Sequence, residues 1–143
     1  MRLGFAMCLA VSLLMGAEAP QKKGDALQGV WELSSGERDG KPLPEKELKG
    51  KLIIKGAEYT VTFGNAEAVT GTQKLNSKAD PKTVDISDTN GPHKGKISLG
   101  IYEVKDDNTF RCIFAPAGKP RPTKFETQPD SGQWLHVWKR AKE

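Results

Sequence analysis

The stretch KLIIKGAEYTVTF, residues 51–63, decides the fold class of this 143-residue chain. Its two arms alternate between apolar and polar side chains, and Gly56 opens the short turn between them. In the second arm Tyr59, Val61 and Phe63 fall on one face, and the intervening threonines fall on the other. A period of two is typical of half-buried strands, and two such arms around a glycine-containing turn predict a β-hairpin.

The same alternation recurs along the chain, with turns marked by glycine, asparagine and proline. No βαβ spacing and no internal repeat accompany it, and about eight short strands in all are typical of an antiparallel barrel or sandwich. We predict a single all-β, antiparallel, up-and-down barrel, because closure removes the exposed edges that a small β protein must otherwise protect. Besides the hairpin, strands are expected at 30–33, 66–75, 83–87, 96–105, 109–115 and 133–140, and one helical turn is expected at 45–48.

Residues 1–19 have the pattern of a signal peptide. Arg2 is followed by an apolar run of about thirteen residues, which is shorter than the roughly twenty that a membrane-spanning helix needs. Ala17-Glu18-Ala19 then offers a small-x-small cleavage pattern. Cleavage is expected after Ala19, or after Ala17 because Pro20 fits poorly next to a cleavage site.

These features predict a chain exported to the periplasm or the exterior, with no membrane span in its mature part. The predicted organisation is a signal peptide at 1–19, a linker at 20–26 and one β-barrel domain at 27–141. The net charge is +4, and the loss of one basic and one acidic residue with the signal peptide leaves it unchanged. Because the lysines are scattered rather than clustered, this charge does not indicate a nucleic-acid partner.

The sequence contains no pattern of an active site, a metal site or a cofactor site. Its two histidines, His93 and His136, lie in a turn and in a strand, whereas metal and nucleophilic sites need several groups brought together. Removal of the signal peptide leaves Cys112 without a partner in the chain, which excludes a disulfide framework. Cys112 also shares its strand face with Phe110 and Phe114, so a buried thiol is expected. We therefore predict a non-enzymatic protein.

The first and last predicted strands carry a recognisable pattern. Gly29-Val30-Trp31 opens the first strand, and Lys139-Arg140 ends the last one. This pattern resembles the Gly-x-Trp signature of lipocalins, in which the tryptophan plugs the closed end of the barrel under a late basic side chain. The resemblance implies a lipocalin-like barrel with Trp31 and Arg140 as its structural plug, held by cation–π attraction.

A longer series of motifs covers nearly the whole predicted mature chain. It comprises LQGVWE at 27–32, GERDGKPLP at 36–44, LGIYE at 99–103, GKPRPTKF at 118–125 and the strand ending at Lys139-Arg140. Together these resemble a family of small exported proteins found chiefly in planctomycete bacteria and expected to be lipocalin-like. The resemblance implies fold and export, and it carries over no activity and no catalytic residue.

The loop at 118–125 presents Lys119, Arg121 and Lys124 on a backbone that two prolines hold extended. One interpretation is a docking site for an anion, and the other is a stiff connection with Phe125 tucked beneath it; the second is favoured. The chain's aromatic side chains likewise could line a ligand cavity or fill the interior, and the short chain slightly favours a filled interior.

Our leading hypothesis is a binding module whose barrel takes a small apolar or anionic-amphipathic molecule. A cavity above about 300 Å³ would favour it. The alternative is a filled β domain that acts through its surface as a cell-envelope interaction or structural protein. In the leading hypothesis the wall is formed by Tyr102, Phe110, Phe114 and Trp134, and Lys119 and Arg121 meet an anionic end of the ligand.

Overall fold

The computed structural model describes residues 26–142, which form nine β-strands and very little helix. The predicted signal peptide at 1–19 and most of the linker lie outside the described residues, so both remain predictions. No helix in the described part of the chain is long and apolar enough to cross a membrane. The strands are β1 Gly29–Arg38, β2 Lys41–Pro42, β3 Gly50–Lys55, β4 Glu58–Phe63, β5 Val69–Asn76, β6 Lys82–Asp88, β7 Ile97–Asp106, β8 Thr109–Phe114 and β9 Trp134–Arg140. A 3₁₀ turn at Glu45–Glu47 precedes β3.

Eight of these strands close into an up-and-down barrel. Each of β3 to β9 pairs antiparallel with its neighbour in the chain, and β1 pairs with both β3 and β9. The two-residue strand β2 only extends the end of β1. β1 pairs with β3 only as far as Glu32, and it pairs with β9 up to Arg38, its last residue. A β-bulge between Leu33 and Ser35 shifts the register of the β1–β9 pair. The predicted fold class, an all-β antiparallel barrel of eight strands, is confirmed.

The predicted hairpin at 51–63 forms, with Leu52 opposite Val61 and Ile54 opposite Tyr59. Leu52, Ile54 and Tyr59 are buried inside the barrel, whereas Ile53 points outward and is 39% exposed. One face of each strand therefore builds the interior, as the alternation predicts.

Trp31 seals one end of the barrel. Its side chain is 1% exposed, and its indole Nε1 donates a hydrogen bond to the Leu27 carbonyl oxygen at 2.9 Å. The ring of Phe110 meets it edge-on, with 4.6 Å between ring centroids. The Arg140 guanidinium covers it from outside, 4.2 Å from the ring centroid. The Gly-x-Trp resemblance implies a plug role for this pair, here called the plug, and that role remains a prediction.

Glycine is required at the first position of that motif. Gly29 has φ of +122°, and a Cβ atom there would lie 2.6 Å from Nη1 of Arg140. The same Nη1 donates to the Gln28 carbonyl oxygen at 2.7 Å. A side chain at position 29 would therefore displace the arginine from the backbone that it ties to the plug.

A second apolar cluster lies on the outside of the barrel. Ile101, Ile113 and Leu135 project outward from three adjacent strands and are buried. They are covered by the segment between β8 and β9, residues 115–133, here called the strap, through Phe125. The strap therefore runs along the outside of the barrel wall, where it covers these apolar side chains.

We expect Trp31→Ala to lower the free energy of unfolding by roughly 3–5 kcal/mol, because it removes a fully buried indole and leaves a cavity. Urea denaturation measures this loss. The exposed Lys139→Ala in β9 is the matched control, with an expected change below about 0.5 kcal/mol. A loss below about 1 kcal/mol for Trp31→Ala would show that the indole does not hold the barrel end together.

Candidate functional site

The barrel encloses a cavity of about 370 Å³. It reaches from Leu27 beside the plug to the opposite end of the barrel. At that end the lining residues Arg38, Glu47, Phe63 and His93 are exposed, so the cavity opens there. Its volume falls within the range of small-molecule sites.

The cavity walls are mainly apolar. They are formed by the inward faces of the strands, whose alternation places one side chain in two towards the barrel axis. Asp88 lies near the mouth, where its carboxylate accepts a hydrogen bond from the Tyr59 hydroxyl. Representative apolar wall residues are Ile54, Val61, Val84, Ile86, Phe110 and Trp138.

Two glycines explain why the interior is not filled. Gly100 faces Phe114 across β7 and β8, and a Cβ atom there would lie 2.5 Å from the Phe114 ring. Gly71 faces Tyr59 in the same way across β4 and β5. Both rings lie over the neighbouring strand, in space that a side chain would otherwise occupy, and leave the barrel axis open. The expectation of a filled interior was therefore wrong.

The four predicted wall residues line this cavity together. Tyr102 and Phe110 are buried in β7 and β8. Phe114 stacks on Trp134 near the mouth, with 5.5 Å between the ring centroids. Contact of these side chains with a ligand remains a prediction.

The two predicted basic ligand contacts do not lie in the cavity, and this expectation is corrected. Lys119 is exposed on the strap. Arg121 Nη1 donates to Asp85 Oδ1 at 2.6 Å and to the Gly100 carbonyl oxygen at 2.8 Å, which fastens the strap to the outer wall. Both residues lie on the outer side of the barrel wall, because the strap that carries them covers the outer apolar cluster. Arg140, not Arg121, covers the Trp31 indole.

Sequence reasoning missed Gln73 as a cavity residue. Its side-chain Nε2 is buried without a hydrogen-bond partner, and the Tyr102 hydroxyl is in the same condition. Gln73 alternates in β5 with Gly71 and Leu75, the first buried and the second half-buried, so its phase in the strand was a usable signal. These two polar groups interrupt an otherwise apolar wall.

Cys112 and His136 are partners across β8 and β9, and both line the cavity. Burial raises the pKa of the Cys112 thiol to about 12, which keeps it protonated and poorly nucleophilic. His136 is 9% exposed and packs between the rings of Phe63 and Trp138. Its burial, and then the positive charge of Arg38, lower its pKa to about 4. The two neighbours are therefore neutral at pH 7 and do not form an activated thiolate–imidazolium pair.

The described residues contain no group of three or more histidine, cysteine, aspartate and glutamate side chains placed to hold a metal ion. The interior thus offers shape, apolar surface and two unpaired hydrogen-bonding groups. Charged lining residues lie at the mouth.

The low pKa of His136 should make stability depend on pH. As the pH falls from 6.5 to about 4, the unfolded chain takes up a proton that the folded His136 refuses, so the free energy of unfolding decreases. The shift corresponds to about 3 kcal/mol. Urea denaturation across this pH range should give a flatter profile for His136→Leu, while the exposed His93→Gln keeps the wild-type slope. Equal slopes for wild type and His136→Leu would contradict the assignment.

The two tyrosines should respond oppositely to removal of the hydroxyl group. Tyr102→Phe should leave the ligand-free protein equally stable, or more stable by about 1–3 kcal/mol, because it removes a buried unpaired group. Tyr59→Phe should lower the free energy of unfolding by about 1–3 kcal/mol, because it breaks the bond to Asp88. Urea denaturation of both variants tests the contrast, and an equal loss in both would argue against it.

The chain matches no protein-family model and no curated protein sequence. The cavity is therefore the main observation that bears on its function.

Proposed function

We propose that this protein is an exported, non-enzymatic, lipocalin-like binding module that takes a small, largely apolar molecule into its barrel. The observation that carries the proposal is the open cavity of about 370 Å³ with apolar walls. Barrels of eight strands are just wide enough either to fill with side chains or to hold one small ligand. The open interior favours the binding of one small ligand.

The open cavity lowers the stability of the ligand-free protein. Protein interiors are normally packed as densely as organic crystals, and unfilled apolar space lowers stability. A domain that acted only through its surface would gain stability if larger side chains filled the barrel. The open interior therefore supports ligand binding over the alternative of a filled envelope-interaction or structural domain.

The mouth is suited to the polar end of an amphipathic ligand. Arg38, Glu47 and His93 are exposed there and line the opening. Arg38, at the end of β1, is placed to meet an anionic end, the role first expected of Lys119 and Arg121. Apolar residues and the plug at Trp31 close the other end, so the apolar part of the ligand would enter first.

The neutral state of the interior supports a binding role over a catalytic one. The protonated Cys112 thiol and the uncharged His136 imidazole, the two reactive groups of the wall, are both held in their unreactive forms at pH 7. Export rests on the pattern of residues 1–19 and on the resemblance to small exported planctomycete proteins.

The proposal is tested with the fluorescent probe N-phenylnaphthylamine, whose emission rises in apolar surroundings. Wild-type protein should increase the emission in a saturable way. Ile86→Phe places a larger side chain in the cavity and should weaken binding about tenfold, whereas Ile53→Phe makes the same change on the outer face and should leave binding unchanged. Native mass spectrometry of protein from its own host should show an added mass that is lost on denaturation.

Two results would contradict the proposal. One is the absence of probe binding together with a ligand-free mass for the protein from its host. The other is equal weakening by Ile86→Phe and Ile53→Phe, which would place the probe outside the barrel.

A further inference from the structure

We propose that the buried part of the ligand carries an uncharged oxygen acceptor, such as a carbonyl, ester or ether oxygen, that accepts a hydrogen bond from the Tyr102 hydroxyl or the Gln73 side-chain amide. This inference rests on the proposed function and specifies the ligand class that the same cavity takes.

The first observation is the state of the two polar groups. Tyr102 is 2% exposed, and its hydroxyl has no hydrogen-bond partner in the protein. Nε2 of Gln73 is buried and unpartnered as well. Burying such a group without a partner is costly, so proteins rarely leave one unpaired without a reason.

The second observation is that the protein pairs its comparable groups elsewhere. The Tyr59 hydroxyl donates to Asp88, and the Trp31 indole donates to the Leu27 carbonyl oxygen. In the part of the chain that the structure describes, Gln73 Nε2 and the Tyr102 hydroxyl are the only buried side-chain nitrogen or oxygen atoms without a partner. Both belong to residues that line the same cavity. Their coincidence with the cavity indicates that the missing partner belongs to its occupant.

The chemistry of the two groups defines what that partner is. An amide N–H donates a hydrogen bond, and a phenol hydroxyl can donate one as well, so an acceptor oxygen satisfies either of them. Burial raises the pKa of Tyr102, so its hydroxyl stays protonated at pH 7.

The charge of the interior excludes an ionised group at this depth. Arg38 and Glu47, charged residues of the lining, are exposed at the mouth, and Asp88 is already bound by Tyr59. A carboxylate drawn deep into the cavity would lose its hydration without meeting a cation, which is far more costly than burying a neutral carbonyl group. The inner acceptor is therefore uncharged, and any charged end of the ligand stays at the mouth.

Three ligands of one shape test this inference. Methyl octyl ketone carries the neutral acceptor, its methylene analogue replaces the carbonyl oxygen with CH₂, and nonanoate replaces the methyl group with a charged oxygen. Their affinities are measured at pH 7 by displacement of N-phenylnaphthylamine from wild-type protein, Tyr102→Phe and Gln73→Leu. Tyr102→Phe adds no volume and is the variant least prone to disturb the fold. The methylene analogue is the control for cavity shape in every variant.

We expect at least one of the two variants to weaken binding of the ketone about five- to tenfold, which is the loss of one hydrogen bond. Binding of the methylene analogue should change less than about twofold in the same variants. Nonanoate is expected to keep its carboxylate at the mouth beside Arg38, so its affinity should change less than about twofold in the same variants.

The inference would be overturned if each variant affected the ketone and the methylene analogue equally, or if the variants weakened binding of nonanoate as much as that of the ketone. The proposed function would stand in both cases, because the cavity would still bind apolar molecules. If none of the three ligands displaced the probe and the probe itself did not bind, the proposed function would fall and this inference with it.

Discussion

Pairing of β1 with β9 is the constraint on which the rest of the structure depends. It joins the first and last strands of the described chain from Trp31 opposite Arg140 to Arg38 opposite Trp134. This pairing satisfies the two edges that an open sheet would expose, and it makes one face of every strand an interior face. It also creates both ends of the molecule at once. At one end Arg140 lies over the Trp31 indole, and at the other Arg38 and Trp134 border the mouth of the cavity.

The interior of the barrel is closely packed at the plug end and open towards the mouth. The plug end is closely packed, because Trp31 meets the Phe110 ring edge-on and donates a hydrogen bond to the Leu27 carbonyl oxygen. Towards the mouth the Phe114 ring covers Gly100 on the neighbouring strand. Cross-strand pairs of an aromatic residue and a glycine normally stabilise a sheet, since the ring covers the exposed backbone. Here the same pairing also leaves the barrel axis free, so one local interaction serves both stability and the proposed binding role.

Charged residues attach the strap to the barrel wall. Arg121 binds Asp85 and the Gly100 carbonyl oxygen, and Arg111 covers the Phe125 ring at 4.1 Å while it binds Glu103. Most of these side chains are partly exposed, so each ion pair contributes little by itself. Together with Phe125 on the outer apolar cluster they hold a segment of nineteen residues along the wall. The basic pattern that suggested an anion site is thus explained in part by the attachment of this segment.

Most strands, the two faces of each and the turns between them could be predicted from local sequence, because alternation with a period of two is a property of neighbouring residues. The hairpin at 51–63, and the placement of Trp134, His136 and Trp138 on one face of β9, could be predicted for that reason. Only the tertiary structure decided whether the interior was filled, since that depends on which glycine lies opposite which ring, as Gly100 does to Phe114. Only the tertiary structure placed Arg121 against Asp85, because residues 36 positions apart meet through the path of the strap over the barrel wall. Periodicity shows which face a side chain occupies, and long-range register decides what that side chain meets.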